Sequence, residues 1–479
     1  MKNSFPLFKS LGVAFAAVLL GGYAPMAQAK GWDSVSGILS RIKAPEFPNR
    51  DFVIADYGAV GDGSNDCTAA IAKAIDACHA AGGGRVVVPD GVFLTGAIHL
   101  KSNVNLHLAD GATLKFSTDP AKFLPAVFTR WEGVEGMNYS AFIYAFEQEN
   151  IAVTGKGILD GSASNDNWWG WTRRGPNREP ARAGRSRSLL NDMGERGVPV
   201  EQRVFGEGHF LRPNFVQPYR CRNVLIEGVS ITNSPMWELN PVLCFNVTVR
   251  GVKISSHGPN NDGCDPESCR DVLIEDCVFD TGDDCIAIKS GRNNDGRRVH
   301  VPSENIIVRN CTMKDGHGGV VLGSEISGSC SNVFVENCKM DSPNLGRALR
   351  LKDNARRGGI LENVFMRNCD VGRVSEAILT IDLLYEEGSN GVHQAVVRNI
   401  ELDNVKSKSS PRVMWIVGYP GAVDRPGAVI EDVRFKNCVF SGVETAEVMN
   451  HAGSVSFDNV TIEPVRRGRS MDSRPAAPE

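Results

Sequence analysis

Short apolar segments of alternating character recur along this chain, each opening on Asn or Asp. The clearest are Asn223-Val-Leu-Ile-Glu, Asn246-Val-Thr-Val-Arg, Asp271-Val-Leu-Ile-Glu, Asn305-Ile-Ile-Val-Arg and Asn332-Val-Phe-Val-Glu, with further copies from Asn363, Asn399 and Asp432. β-Branched residues at a period of two, bounded by Gly, Asn or Asp, predict strands. The intervals between copies are 23, 25, 34, 27, 31, 36 and 33 residues, too uneven for a helical repeat but natural for coils whose loops differ in length. A strand this short cannot bury its own apolar face, so stacked copies form one continuous core. The expected fold is all-β, a parallel β-helix, with Asn103-Val-Asn-Leu-His-Leu and Asn150-Ile-Ala-Val-Thr in its first coils. The regular leucine and asparagine spacing of leucine-rich repeats is absent.

One segment breaks the strand period near the amino end. Asp66 or Thr68 can cap a helix running to about Ala80, with Ala70, Ile71, Ala74, Ile75 and Cys78 on one face. It is the candidate lid over the open end of the solenoid, where strand edges and core must be hidden. Residues 160–220, with Trp168, Trp169, Trp171 and many arginines between Arg173 and Arg203, read as a long excursion off the coils. Its aromatics either wall off one end of a cleft or pack on the solenoid. Ahead of the coils, Lys2 and Lys9, the apolar run Leu11–Leu20 and Ala27-Gln28-Ala29 have the layout of a secretory signal. The expected division is a signal peptide over 1–29, a linker over 30–50, the β-helix over 51–464 and a disordered tail over 465–479. The apolar run is short of the ~20 residues a membrane span needs, so the mature chain is expected to be soluble, secreted or periplasmic.

Composition changes this picture in two places. The formal charge is −4 over 479 residues, and −6 without residues 1–29, which carry two lysines and no acid. Such a chain has no global attraction for polyanions, which argues against nucleic acid as a partner, and an anionic ligand must be held by local cations. The thirteen cysteines include Cys277, Cys311, Cys338, Cys369 and Cys438, each following Asp or Asn at the close of a strand pattern. They read as stacked, buried small hydrophobes rather than zinc ligands, since no Cys-x-x-Cys pair or convergent histidines accompany them.

The same ruler brings charged residues together. Asp262, Asp284, His317 and Arg350 lie 16, 13, 12 and 18 residues after the Asn or Asp that opens their coil, a similar phase of four successive coils about 4.8 Å apart. Arg350 and Lys352, two apart on a strand, point to the same side. Asp283 and Asp284 are adjacent, and Gly282 is expected to supply a bulge or turn that lets both reach one cleft. His317 sits between glycines, where backbone can approach a ligand closely. Glycoside hydrolysis needs one carboxylic acid to protonate the leaving oxygen and another carboxylate to activate water or attack. Clustered aspartates supply this, because mutual repulsion keeps one protonated, and the two cations suit a sugar carboxylate. Asp265, between Gly263 and Pro266, reads as a turn residue or a chemical one. Lys289 is expected to meet the substrate or pair with an aspartate.

At Asn260-Asn261-Asp262, Gly282-Asp283-Asp284, Gly316-His317-Gly318 and Arg350-Leu351-Lys352 the chain resembles glycoside hydrolase family 28, the polygalacturonases and their relatives. That family's pattern runs Asn-Thr-Asp, Gly-Asp-Asp, Gly-His-Gly and Arg-Ile-Lys; Asn261 and Leu351 depart from it without removing a charge. The resemblance extends from Asp56-Tyr57-Gly58-Ala59 to about Val460. It implies a right-handed single-stranded parallel β-helix of the pectin-lyase-like kind, and inverting hydrolysis of α-1,4-galacturonosyl linkages in pectin or galacturonate oligomers without a cofactor or metal. It casts Asp284 as general acid, Asp262 and Asp283 as activators of water, and His317 as their tuner. Arg350 and Lys352 would bind galacturonate. Lys289 and Asn260 are expected from their positions as further substrate contacts. The stretches Pro259–Ser268 and Arg347–Lys352 look most like bacterial enzymes that trim from a chain end. The alternatives are a rhamnogalacturonan or other pectin-backbone hydrolase, a calcium-assisted pectate lyase, and a β-helical carbohydrate-binding protein or adhesin. The sequence names no protein partner.

Overall fold

The computed structural model describes residues 31–172, 181–421, 427, 429–445 and 447–465; the expected signal peptide and residues 466–479 of the expected tail lie outside them. Strands stack in parallel into long walls. The first wall has thirteen strands, from Asp51–Val53 to Val455–Asp458, and the second has thirteen, from Asp62–Asp66 to Thr461–Pro464. The third begins as a three-stranded piece that includes Ile143–Phe146 and Val216–Tyr219. It continues through single bridges at Leu239 and Cys264 into a six-stranded piece from Ile286–Ile288 to Val448–Asn450. Three walls closed around one core make a right-handed parallel β-helix, the hand that parallel crossovers take.

The structure gives the physical reason for the Asn and Asp that open each repeat. Asn223, Asn246, Asp271, Asn305, Asn332, Asn363, Asn399 and Asp432 all lie in the left-handed region, with φ between 55° and 58°, which Asn and Asp tolerate better than other side chains. Their amides form a ladder up the solenoid: Asn246 Nδ2 donates to Asn223 Oδ1 (2.8 Å), Asn332 to Asn305 (3.0 Å), Asn363 to Asn332 (3.1 Å) and Asn399 to Asn363 (2.6 Å). A second left-handed series, Asp276, Asn310, Asn337, Asn368 and Asn437, turns the chain from the first wall to the second. The residue after each is a cysteine that drops into the core, as expected. All thirteen cysteines are buried and free. A thiol reagent is therefore expected to modify none in the native protein and thirteen in denaturant, and a reductant to leave Tm unchanged; a native-state disulfide in the intact-mass spectrum would contradict this.

Helix α1 (Val35–Arg41) and the single turn Gly31–Ser34 ahead of it correct the expected linker over 30–50. Val35 and Ile38, with Trp32, pack on Leu273, Ile307, Phe334 and Phe365 of the first wall's outer face, and Arg41 pairs with Asp271 at 2.8 Å. Three apolar residues at helical spacing find their partners more than two hundred positions away, so the local pattern gave little sign of them. Helix α2 (Thr68–Ala80) is the expected lid, and its buried residues are Ala70, Ile71, Ala74, Ile75 and Cys78; Asp66 Oδ1 accepts from Thr68 N at 2.9 Å.

The excursion after Ile158–Asp160 carries helix α3 (Arg182–Glu195) and the strand Val204–Phe205, which joins the antiparallel hairpin Val127–Trp131/Val134–Asn138. Trp168 and Trp171 are buried in the main core. Trp169 lies against Gly258 and donates to Ser234 O at 2.8 Å. Helix α4 (Asn293–Val299) follows the third-wall strand Ile286–Ile288.

Candidate active site

Leu239, Cys264, Ile286, Val320 and Leu349 are paired in register along the third wall. Counting back two residues aligns Asp262 with Asp284 and Gly318, at the turn from the second wall to the third. Arg350 and Lys352 lie farther along their own strand and reach back to the same point: Lys352 Nζ is 2.7 Å from Asp284 Oδ2 and Arg350 Nη1 is 3.9 Å from Oδ1. The sequence offsets of 12 to 18 residues thus approximate the alignment.

Of the bulge or turn expected at Gly282, the structure has the turn, between walls and beyond the strand Val278–Thr281. A side chain there would strike Gly258 O of the preceding coil, so glycine lets the coils close up while both aspartates turn toward the cleft. At Gly318 a Cβ would meet the Val321 side chain of the same coil and approach Asp284 Oδ1. His317 N donates to Asp283 O at 3.0 Å, and His317 Nδ1 lies 2.9 Å from Asp283 Oδ1. One oxygen each of Asp262, Asp283 and Asp284 falls within 4.8 Å of the others. Three carboxylates so placed could converge on a cation, but Lys352 and His317 already engage two of them, and Lys289 lies 3.8 Å from Asp262. A second group, His257, Asp280 and Asp315, gathers on a neighbouring turn.

Environment separates the carboxyls. Burial, reinforced by Asp265 and Asp283, pushes Asp262 well above the usual carboxylate range. Burial opposes ionisation of Asp283 too, but the hydrogen bond and charge of His317 bring it below that range. The same bond, working against burial, raises His317, whose ring is exposed at the rim. Asp265, fully buried, is pushed well up by desolvation.

Lys289 pairs with carboxylates, one of the two roles expected of it. It is buried, 3.2 Å from Glu325, 3.7 Å from Asp265 and 3.8 Å from Asp262, with its ammonium 4.4 Å from the Trp237 ring centre. These carboxylates raise it well above its ordinary value against burial. Asn260 adopts the left-handed region and its Oδ1 accepts from Arg212 Nη2 at 2.7 Å. Asn261 is wholly structural, accepting from Ser256 Oγ (2.6 Å) and Gly258 N (2.8 Å).

Several residues of the site gave no sequence signal. Arg212, buried and lowered to about 10 by desolvation, also donates to Pro259 O and so pins the Asp262 turn. Tyr385 lies against both Arg350 and Lys352, its ring centre 5.3 Å from each. Arg292 joins Glu325 (3.2 Å), Glu132 of the hairpin (3.7 Å) and Glu386 (3.3 Å), while Arg187 of α3 binds Glu132 at 2.6 Å. This network ties the excursion to the Lys289 end of the cleft.

Clustered carboxylates beside paired cations on one wall of a parallel β-helix supply the groups that glycoside hydrolysis requires. The chain belongs to glycosyl hydrolases family 28, whose model matches residues 207–462. A second model, rhamnogalacturonase A/epimerase, pectate lyase-like, matches residues 52–118. The crystal structure of a hyperthermoactive exopolygalacturonase from Thermotoga maritima is 44% identical, covers 91% of this chain and 96% of its own, and superposes with a TM-score of 0.86. An exo-poly-alpha-D-galacturonosidase of Dickeya chrysanthemi is 27% identical over 450 residues, 87% of this chain and 71% of its own length. A polygalacturonase from Erwinia carotovora ssp. carotovora, 23% identical, shares the fold at a TM-score of 0.62, over 87% of this chain and 98% of its own.

Proposed function

We propose that this chain hydrolyses α-1,4-galacturonosyl linkages of polygalacturonate from a chain end. The observation that carries the reading is the reach of Lys352 and Arg350 to Asp284, two cations suited to a sugar carboxylate beside a candidate acid. In this reading Asp284 protonates the leaving oxygen, Asp262 and Asp283 hold and activate water, and His317 orients and tunes Asp283. Lys289 offsets the charge of the buried carboxylates from behind, and Asn260 shapes the turn that carries Asp262. Exo action draws support from the hairpin and α3, tied by Arg187 and Arg292 across one end of the cleft, and from the likeness to the Thermotoga enzyme. A secreted or periplasmic location fits a polymeric plant substrate; no helix among the described residues is long and apolar enough to cross a membrane.

The test is the time course of products from polygalacturonate in chelator, read for size, reducing ends and ultraviolet absorbance. Galacturonate alone from the start is expected. A ladder of oligomers would remove the exo reading, an absorbing calcium-dependent product would mean β-elimination, and cleavage confined to rhamnogalacturonan would change the substrate. The nearest carboxylate oxygens are closer than the roughly 6.5–9.5 Å carboxyl separation typical of an inverting pair, so inversion is carried by family membership rather than spacing. The first anomer formed, β under inversion, decides it by NMR.

His317 gives a pH test. Its raised value means that the pair with Asp283 is intact below the ordinary histidine range, about 6.5, and is lost as pH rises through the folded value. The advantage of the native enzyme over His317→Gln in kcat/KM is therefore expected to be about tenfold or more in acid and to shrink toward one on the alkaline side. A pH-independent ratio would remove the charge from the account.

A further inference from the structure

Beyond Arg350 the third wall continues toward the carboxyl end. Arg350 pairs in register with Thr380, and Thr380 with Trp415. In a parallel ladder these three side chains leave the same face of the sheet. Trp415 thus stands on the cleft side two coils from Arg350, about 10 Å along the axis at ~4.8 Å per coil. It is 37% exposed, unlike most large apolar residues of the walls. Arg412, three positions earlier on the same strand, holds its guanidinium 5.4 Å from the Trp415 ring centre. Its Nε lacks a hydrogen-bond partner among the described residues. Glu447, the neighbouring acid, turns its carboxylate to the backbone N–H groups of Val413 and Met414. Between Arg350 and Trp415, Thr380 is only 3% exposed and its hydroxyl also lacks a partner among the described residues.

We infer that Trp415 and Arg412 form a distal subsite for the polymer beyond the cleaved bond, taking the third or fourth galacturonate counted from the trimmed end. A pyranose presents a face of C–H groups that packs on an exposed indole, and the carboxylate of an acidic sugar answers the guanidinium beside it. The occupant is the anionic substrate chain itself, which advances about one ring per coil. This deepens the proposed function and rests on it: a terminal sugar in the walled pocket, the next at Arg350 and Lys352, and later ones on the open side.

The experiment compares digalacturonate with a galacturonate oligomer of six residues, using the native chain, Trp415→Ala, Trp415→Phe and Arg412→Gln. Digalacturonate ends before Trp415, so the ratio of kcat/KM on the long substrate to that on the short one isolates the distal contact from any general damage. The expected result is a ratio at least fivefold lower in Trp415→Ala, mostly through KM, a smaller fall in Arg412→Gln, and recovery in Trp415→Phe. An unchanged ratio in Trp415→Ala and Arg412→Gln would overturn the subsite while leaving the proposed function standing. If the native chain releases galacturonate from neither substrate, the proposed function fails first and takes the subsite with it.

Discussion

Asp284→Asn is expected to lower kcat on polygalacturonate by about 10²–10⁴-fold, the range of a lost general acid, while an oligogalacturonate still binds. The measurements are steady-state kinetics and calorimetric titration of the variant. Asp284 is buried beside Lys352 and Arg350, the cations to which the proposed reading assigns the sugar carboxylate. The geometry also supplies a rival. Burial and its acidic neighbours push Asp262 well above the usual carboxylate range, and an Asp284→Asn variant that keeps more than a tenth of native turnover would transfer the acid role to it. Asp262→Asn would then show the larger loss.

Lys352→Met is expected to lower kcat/KM on the same substrate by roughly 30-fold to several thousand-fold, corresponding to the ~2–5 kcal/mol cost of truncating one partner of a buried, hydrogen-bonded charge pair. In the free enzyme Lys352 is engaged by Asp284 at 2.7 Å. On the proposed reading, a substrate carboxylate entering between them competes with Asp284 for the ammonium, which links substrate charge to the proposed acid. Methyl-esterifying the sugar bound there is expected to reduce the native rate far more than that of Lys352→Met. Equal losses in both would separate the two roles.

The repeats and the chemistry were legible for one reason: both follow the period of the coils. Asn223 to Asp432 mark the ladder because a left-handed backbone position selects Asn or Asp, and the helix over 68–80 shows its buried face in five small or apolar residues. Asp262, Asp283, Asp284, His317, Arg350 and Lys352 converge because each belongs to a coil. What lay off the coils was hidden. Arg212, Glu325, Arg292 and Tyr385 reach the site from loops with no ruler, and the contacts of Arg187 with Glu132 join segments that no spacing relates. Lys289 sat at a readable position, but its burial among Glu325, Asp265 and Asp262 could be known only once loops were placed around it.

The ladder is broken in kind at Asp271, the acidic rung beside which Arg41 docks. Helix α1 also covers Leu273, Ile307, Phe334 and Phe365, residues of four different coils. Its landing surface does not exist until the chain as far as Phe365 has been wound, so the first described residues to leave the ribosome are among the last to find their place. Contacts spanning more than three hundred positions are slow to form. The amino-terminal segment therefore acts as a clasp closed across finished turns, and its docking reports that the coils bearing Asp284 and Lys352 have been assembled in register.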